Sequence, residues 1–244
     1  MARDLKHLTT ELSSVLDATL NPRPIAPGFA AQPREHARPV LLPPWFIDRC
    51  RQAYLSVSFP GETRVLGITS ALHGEGKTTI ALGIATAIAA DTGEPTVLLE
   101  CDLETSSDEF FGLQSGPGLS DWLEGEQTLR IMRMPPLANA FLIPAGGTRS
   151  DAARVFYKLS QSTVIEDLQQ SFPNVIVDLP PLVSIAYSSL AAKVTERILL
   201  VARYGTTPLS AMEKAVFLLG RERISGVVLN GYASSTPRWL RRLL

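Results

Sequence analysis

The stretch Arg64-Val65-Leu66-Gly67-Ile68-Thr69-Ser70-Ala71-Leu72-His73-Gly74-Glu75-Gly76-Lys77-Thr78-Thr79 decides how this 244-residue chain is read. Its first part is rich in Val, Leu, Ile and Thr and predicts a strand over 64–69, while Lys77 to Ala90 continues as a helix ending before Gly93. Between them lies a glycine-rich loop. A phosphate group needs several converging N–H donors, a cationic side chain and a hydroxyl for its metal. Gly74 and Gly76 let the backbone curl so that its amides point inward, and the N-terminus of the following helix adds roughly half a positive charge. Lys77 is placed to reach the β- and γ-phosphates of ATP, and Thr78 to ligate Mg2+. Glu75 and Thr79 complete the nucleotide-binding loop with His73, which either meets phosphate or fills an exposed turn. The general pattern has glycine where this chain has Ala71, yet the strand-loop-helix context is met.

Outward from the loop, apolar runs recur at Thr96 to Cys101, Ala140 to Ile143, Asn174 to Asp178, Arg197 to Ala202 and Gly226 to Leu229. Continuous β-branched and leucine runs suit parallel strands buried on both faces, so the expected fold is α/β, a P-loop NTPase with a mostly parallel central sheet between helical layers. Ligands in such sheets gather at the carboxyl ends of the strands. Two strand ends there supply acids. Glu100 and Asp102 alternate at the end of Val97-Leu98-Leu99 and are expected to share a face toward the loop's metal. Asp178 closes Asn174-Val175-Ile176-Val177 and precedes Leu179-Pro180-Pro181, as a carboxylate holding Mg2+ through water does.

Composition narrows the rest. With 45% hydrophobic and 19% charged residues the chain is long enough for one large core, and a net charge of -1 provides no global field for nucleic acid. Cys50 and Cys101 stand far apart with no CxxC, which argues against a disulfide framework or a zinc site. No apolar run reaches membrane-spanning length, and Met1 to His7 lacks the apolar core of a signal peptide, so a cytoplasmic location is expected. Four segments are expected. Residues 1–20 carry Leu5, Leu8, Leu12, Val15, Leu16 and Leu20 at helical spacing, an amphipathic helix. Residues 21–44 hold seven prolines and read as a linker. The P-loop domain follows over 45–233, and residues 234–244 form a basic amphipathic tail, with Trp239, Leu240 and Leu243 between Arg238, Arg241 and Arg242.

The motifs together resemble the bacterial tyrosine kinases of capsule and exopolysaccharide synthesis, relatives of the ParA and MinD ATPases. The resemblance is carried by Thr69 to Thr79, by Val97 to Leu103, by Gly118-Leu119-Ser120-Asp121-Trp122-Leu123-Glu124-Gly125, by Ile143-Pro144-Ala145-Gly146 and by Val177-Asp178-Leu179-Pro180-Pro181. It implies ATP and Mg2+ binding by Gly74, Gly76, Lys77 and Thr78, with Glu100, Asp102 and Asp178 managing the metal and the attacking hydroxyl and Asn230 contacting adenine. Asn230 reads equally as a strand-end turn residue. The resemblance further implies a partner, the cytoplasmic segment of a Wzz- or Wzc-like membrane polysaccharide co-polymerase, and a peripheral location at the inner face of the membrane. Contact of the tail with a membrane surface and homo-oligomer formation stay open.

Several positions depart from the family. Glu100 stands for its usual aspartate, Glu104 for an arginine, and His73 for a proline. Where the family's ring-forming helix shows E-x2-R-x2-R, this chain has Asp48, Arg51 and Tyr54. The family's tail is rich in tyrosine, whereas only Tyr232 lies in the last 14 residues here. These departures keep a nucleotide-gated adaptor without tyrosine transfer as an alternative. A positioning ATPase of the MinD kind is a further alternative, against which stands Leu72 at the place of that branch's signature lysine.

Overall fold

Both faces of every central strand are apolar, and the chain resolves this by covering both with helices. The structure, a computed structural model, describes residues 37–57, 59, 64–103, 111, 116–125, 129–147 and 152–232. The expected N-terminal helix and basic tail lie outside the described residues. In chain order the elements are α1 (Pro44–Ser56), β1 (Val65–Ser70), α2 (Lys77–Thr92), β2 (Thr96–Glu100), α3 (Leu119–Glu124), β3 (Met132–Arg133), β4 (Ala140–Ile143), α4 (Ala152–Gln161), α5 (Val164–Ser171), β5 (Asn174–Asp178), α6 (Ser188–Ala191), β6 (Arg197–Arg203), α7 (Leu209–Leu219) and β7 (Ile224–Asn230).

Among the described residues the seven strands form one sheet in the order β3-β4-β2-β5-β1-β6-β7. Every neighbouring pair is parallel except the short β3, which runs antiparallel to β4. Along β6 the side chains alternate between two cores. Ile198 and Leu200 join the cluster containing Phe156, Val164 and Leu168 of α4 and α5, while Leu199 and Val201 join the one built by α1 and α2. The three-layer α/β/α fold expected from the apolar runs is what forms.

The α2 helix is apolar nearly all round, as a helix packed between a sheet and another helix must be. It accepts α1 at close range because Gly83 has no side chain: a Cβ there would lie 2.4 Å from Cys50 Sγ and 2.8 Å from Phe46 Cε1. At its far end Asp91 receives the Arg51 guanidinium through Nε and Nη2, both at 2.6 Å, and the Tyr54 hydroxyl at 2.5 Å. Arg51 also meets Asp48. The three α1 residues at the positions of the ring motif are thus tied to one another and to α2 of the same chain.

The sequence boundary between linker and domain shifts. Residues 37–44 belong with the body: Ala37 N–H donates to Arg133 O at 2.9 Å, Arg38 N–H donates to Phe111 O at 2.7 Å, and Val40 and Leu42 pack on the core. Proline density suggested an extended linker through Pro44, but these intervening apolar residues and free amides find partners on the domain.

Candidate functional site

The loop leaves β1 at Ser70 and enters α2 at Lys77, with Gly74 at φ +75° and Gly76 at φ +91°. Both values favour glycine because a Cβ would crowd the backbone. Ala71, at the place of the usual first glycine, is fully buried in the core, so its methyl serves packing. The segment after β5 is laced to this end of β1. Leu179 N–H donates to Ile68 O, Leu182 N–H to Ser70 O and Val183 N–H to Ala71 O, at 2.9 to 3.0 Å. Thr69 Oγ1 donates to Pro180 O at 2.8 Å. The Pro180-Pro181 stretch therefore works as a strut that sets Asp178 beside the loop.

Four of the expected residues converge. Lys77 Nζ lies 2.9 Å from Asp102 Oδ2 and 3.3 Å from Asp178 Oδ1, and Thr78 Oγ1 donates to Asp178 Oδ2 at 2.7 Å. All but Thr78 are buried, with Asp102 3% and Asp178 1% exposed. Burial opposes the charge on Lys77, but Asp178 and Asp102 outweigh it and hold the ammonium above its ordinary pKa. Burial pushes the Asp178 carboxyl up, against the pull of Lys77 and Thr78.

The second strand-end acid takes a different place. Glu100 is the last residue of β2, and Ala145 N–H donates to its Oε2 at 3.3 Å. Asp102, beyond the strand, reaches Lys77. Between them Cys101 N–H donates to Asp178 O at 2.8 Å, so the pairing with β5 runs one residue past Glu100.

Two further motifs prove to be halves of one clasp. Leu119 N–H donates to Pro144 O and Ser120 N–H to Ala145 O, both at 2.9 Å. Asp121 Oδ2 accepts from Gly118 N–H at 2.8 Å and from Gly147 N–H at 3.1 Å. Gly146, at φ +101°, has no Cβ to collide with Asp121 Oδ2, which would stand 2.2 Å away. The start of α3 is thereby pinned to the end of β4, next to the acid that closes β2.

Sequence reasoning missed the turn after β6. Thr207 donates to Glu75 Oε1, Arg203 Nη1 donates to Gly74 O at 3.3 Å, and Asn230 Nδ2 donates to Glu75 O at 2.9 Å. Asn230 is thus found against the loop, while His73 is exposed. Only Gly205 and Pro208 signalled a turn there, and neither says where it docks. Among the described residues no group of three or more His, Cys, Asp and Glu side chains could hold a metal ion by itself. The Thr78 hydroxyl and Asp178 carboxylate do offer the hard oxygen donors that Mg2+ takes together with phosphate oxygens and water.

No protein-family model matches the chain. It is 25% identical over 190 residues to the tyrosine-protein kinase CpsD of Streptococcus agalactiae serotype Ia, covering 75% of this chain and 82% of that one. It is 26% identical over 159 residues to the tyrosine-protein kinase ptk of Acinetobacter johnsonii, covering 64% of this chain but only 21% of that longer protein. Among solved structures, the VpsO kinase domain superposes with a TM-score of 0.68 at 27% identity, covering 77% of this chain and 94% of that one. The septum site-determining protein MinD of Pyrococcus horikoshii, complexed with Mg-ADP, shares the fold with a TM-score of 0.59 at 22% identity, over 74% of this chain and 76% of that one.

Proposed function

We propose that this chain is a member of the bacterial tyrosine kinases within the ParA- and MinD-type P-loop ATPases, that it binds ATP with Mg2+, and that it acts as a tyrosine-kinase-like regulator of exopolysaccharide or capsule synthesis. The observation that carries this reading is the convergence of Lys77, Thr78, Asp102 and Asp178 at the mouth of the loop. In this reading Lys77 leaves the two carboxylates for the β- and γ-phosphates, exchanging one anionic partner for another in a site with little water. The Thr78 hydroxyl and, through water, Asp178 would hold Mg2+, which neutralises phosphate charge when bound. Asp102, released from Lys77, is left to orient and deprotonate an attacking hydroxyl. Gly74, Glu75, Gly76 and Thr79 would shape the loop around the nucleotide, and Asn230, which donates to Glu75 O, would offer its remaining amide groups to the base. Glu100 supports this set from the end of β2, and His73 stays at its exposed margin.

The partner in this proposal is the cytoplasmic segment of a membrane polysaccharide co-polymerase, with the chain working at the inner membrane face. A nucleotide-gated adaptor is the second reading, favoured by the single tyrosine among the last 14 residues and by the engagement of Arg51 with Asp48 and Asp91 of its own chain. Incubating the full chain with Mg-ATP, with and without that partner segment, and mapping phosphopeptides by mass separates the two. Phosphotyrosine that vanishes in Lys77→Ala establishes transfer, whereas bound ATP without phosphotyrosine in either condition replaces the kinase with the adaptor.

A further inference from the structure

Glu75 brings a carboxylate, 4% exposed, into a loop where phosphate charge must be accommodated, so its own charge has to be held by donors. Both of its oxygens are engaged by donors. Leu72 N–H donates to Oε2 at 2.9 Å, and the Thr207 hydroxyl donates to Oε1. The Thr207 oxygen itself accepts Arg203 N–H at 2.7 Å, which commits the hydroxyl proton to Glu75. Two more bonds run from the same side of the sheet to the loop backbone, from Arg203 to Gly74 O and from Asn230 to Glu75 O. Gly76 sits directly over Asn230, where a Cβ would lie 2.2 Å from Nδ2.

We propose that Thr207 is a positioning residue that fixes the curvature of the phosphate loop through Glu75 and thereby sets affinity for the phosphates of the nucleotide. Without its hydroxyl, the Glu75 carboxylate keeps one protein donor, the Leu72 N–H, and in this proposal it turns to the loop amides that phosphate requires. The loop would then present a competing anion in place of open donors. The inference rests on the reading of the loop as an ATP site.

The test is equilibrium binding of a fluorescent ADP analogue with Mg2+ to the full chain, for wild type, Thr207→Val, Thr207→Ser, Glu75→Gln and the Thr207→Val/Glu75→Gln double variant. Valine keeps the shape and loses the donor. Its affinity is expected to fall about tenfold, the size of a lost hydrogen bond to a charged group, while serine, which keeps the donor, stays within about twofold. In the Glu75→Gln background, whose side chain is no longer an anion, the valine change is expected to add less than about twofold. A valine variant within twofold of wild type, or one whose loss adds fully to that of Glu75→Gln, overturns the inference. If the valine variant does not fold, a serine variant that loses tenfold overturns it equally. Wild-type protein that binds no nucleotide refutes the ATP reading itself, and the inference with it.

Discussion

Replacing Lys77 by methionine keeps the length of the side chain and removes its charge, which leaves Asp102 and Asp178 facing each other at 3% and 1% exposure. In the intact protein the ammonium lies 2.9 and 3.3 Å from their oxygens. Stripping one partner from a buried ion pair costs about 3–5 kcal/mol, because the remaining charge is neither solvated nor paired. Here the loss is eased, since one of the two acids can take up a proton and Thr78 still serves Asp178. A net cost of about 3 kcal/mol corresponds to a fall in melting temperature of roughly 10 °C for a domain of this size. The assay is thermal unfolding by circular dichroism, without nucleotide and at neutral pH. Adding Asp102→Asn to Lys77→Met is expected to recover about half of the loss, because one buried charge is then gone. A Lys77→Met variant melting within about 2 °C of wild type refutes the reasoning that the cluster holds real buried charge.

Gly76→Ala forces a side chain into the left-handed region against Asn230, and nucleotide affinity measured by titration should drop about tenfold, the sum of backbone strain and the displaced amide. Gly83→Ala places a methyl against Cys50 Sγ, so unfolding by urea should show a loss of about 1–3 kcal/mol, part of which Cys50→Ala in the same chain restores. Both cysteines are buried, and burial pushes the Cys50 thiol up to about 12, so the native protein at pH 8 should incorporate no thiol reagent while the denatured chain takes up two equivalents, counted by absorbance.

The strand-loop-helix unit was legible because each part is local: β-branched residues, two glycines and an uninterrupted helix former carry their own conformational preference. The buried strands were legible from their unbroken apolar runs, and Asp178 from its place at the end of one. What the sequence left hidden depends on partners distant along the chain. Asp121 stands in a motif whose purpose shows only when Gly147 arrives, 26 residues on, to share its carboxylate. Thr207 lies 132 residues from Glu75, and no periodicity links a turn threonine to a phosphate loop. Glu100 illustrates the opposite failure. Alternation placed both acids at the end of β2, but it could not say that Glu100 takes the Ala145 N–H while Asp102 reaches Lys77. At Ala37, a proline-rich composition concealed amides and small apolar groups that dock on the body.

The most direct test of the ATP site is a calorimetric titration of the full chain with Mg-ATP, run beside the Lys77→Ala variant. Saturable binding at one site per chain, lost when Lys77 is removed, is the expected result. Wild-type protein that takes up no nucleotide, or a Lys77→Ala variant that binds as tightly as wild type, would contradict it.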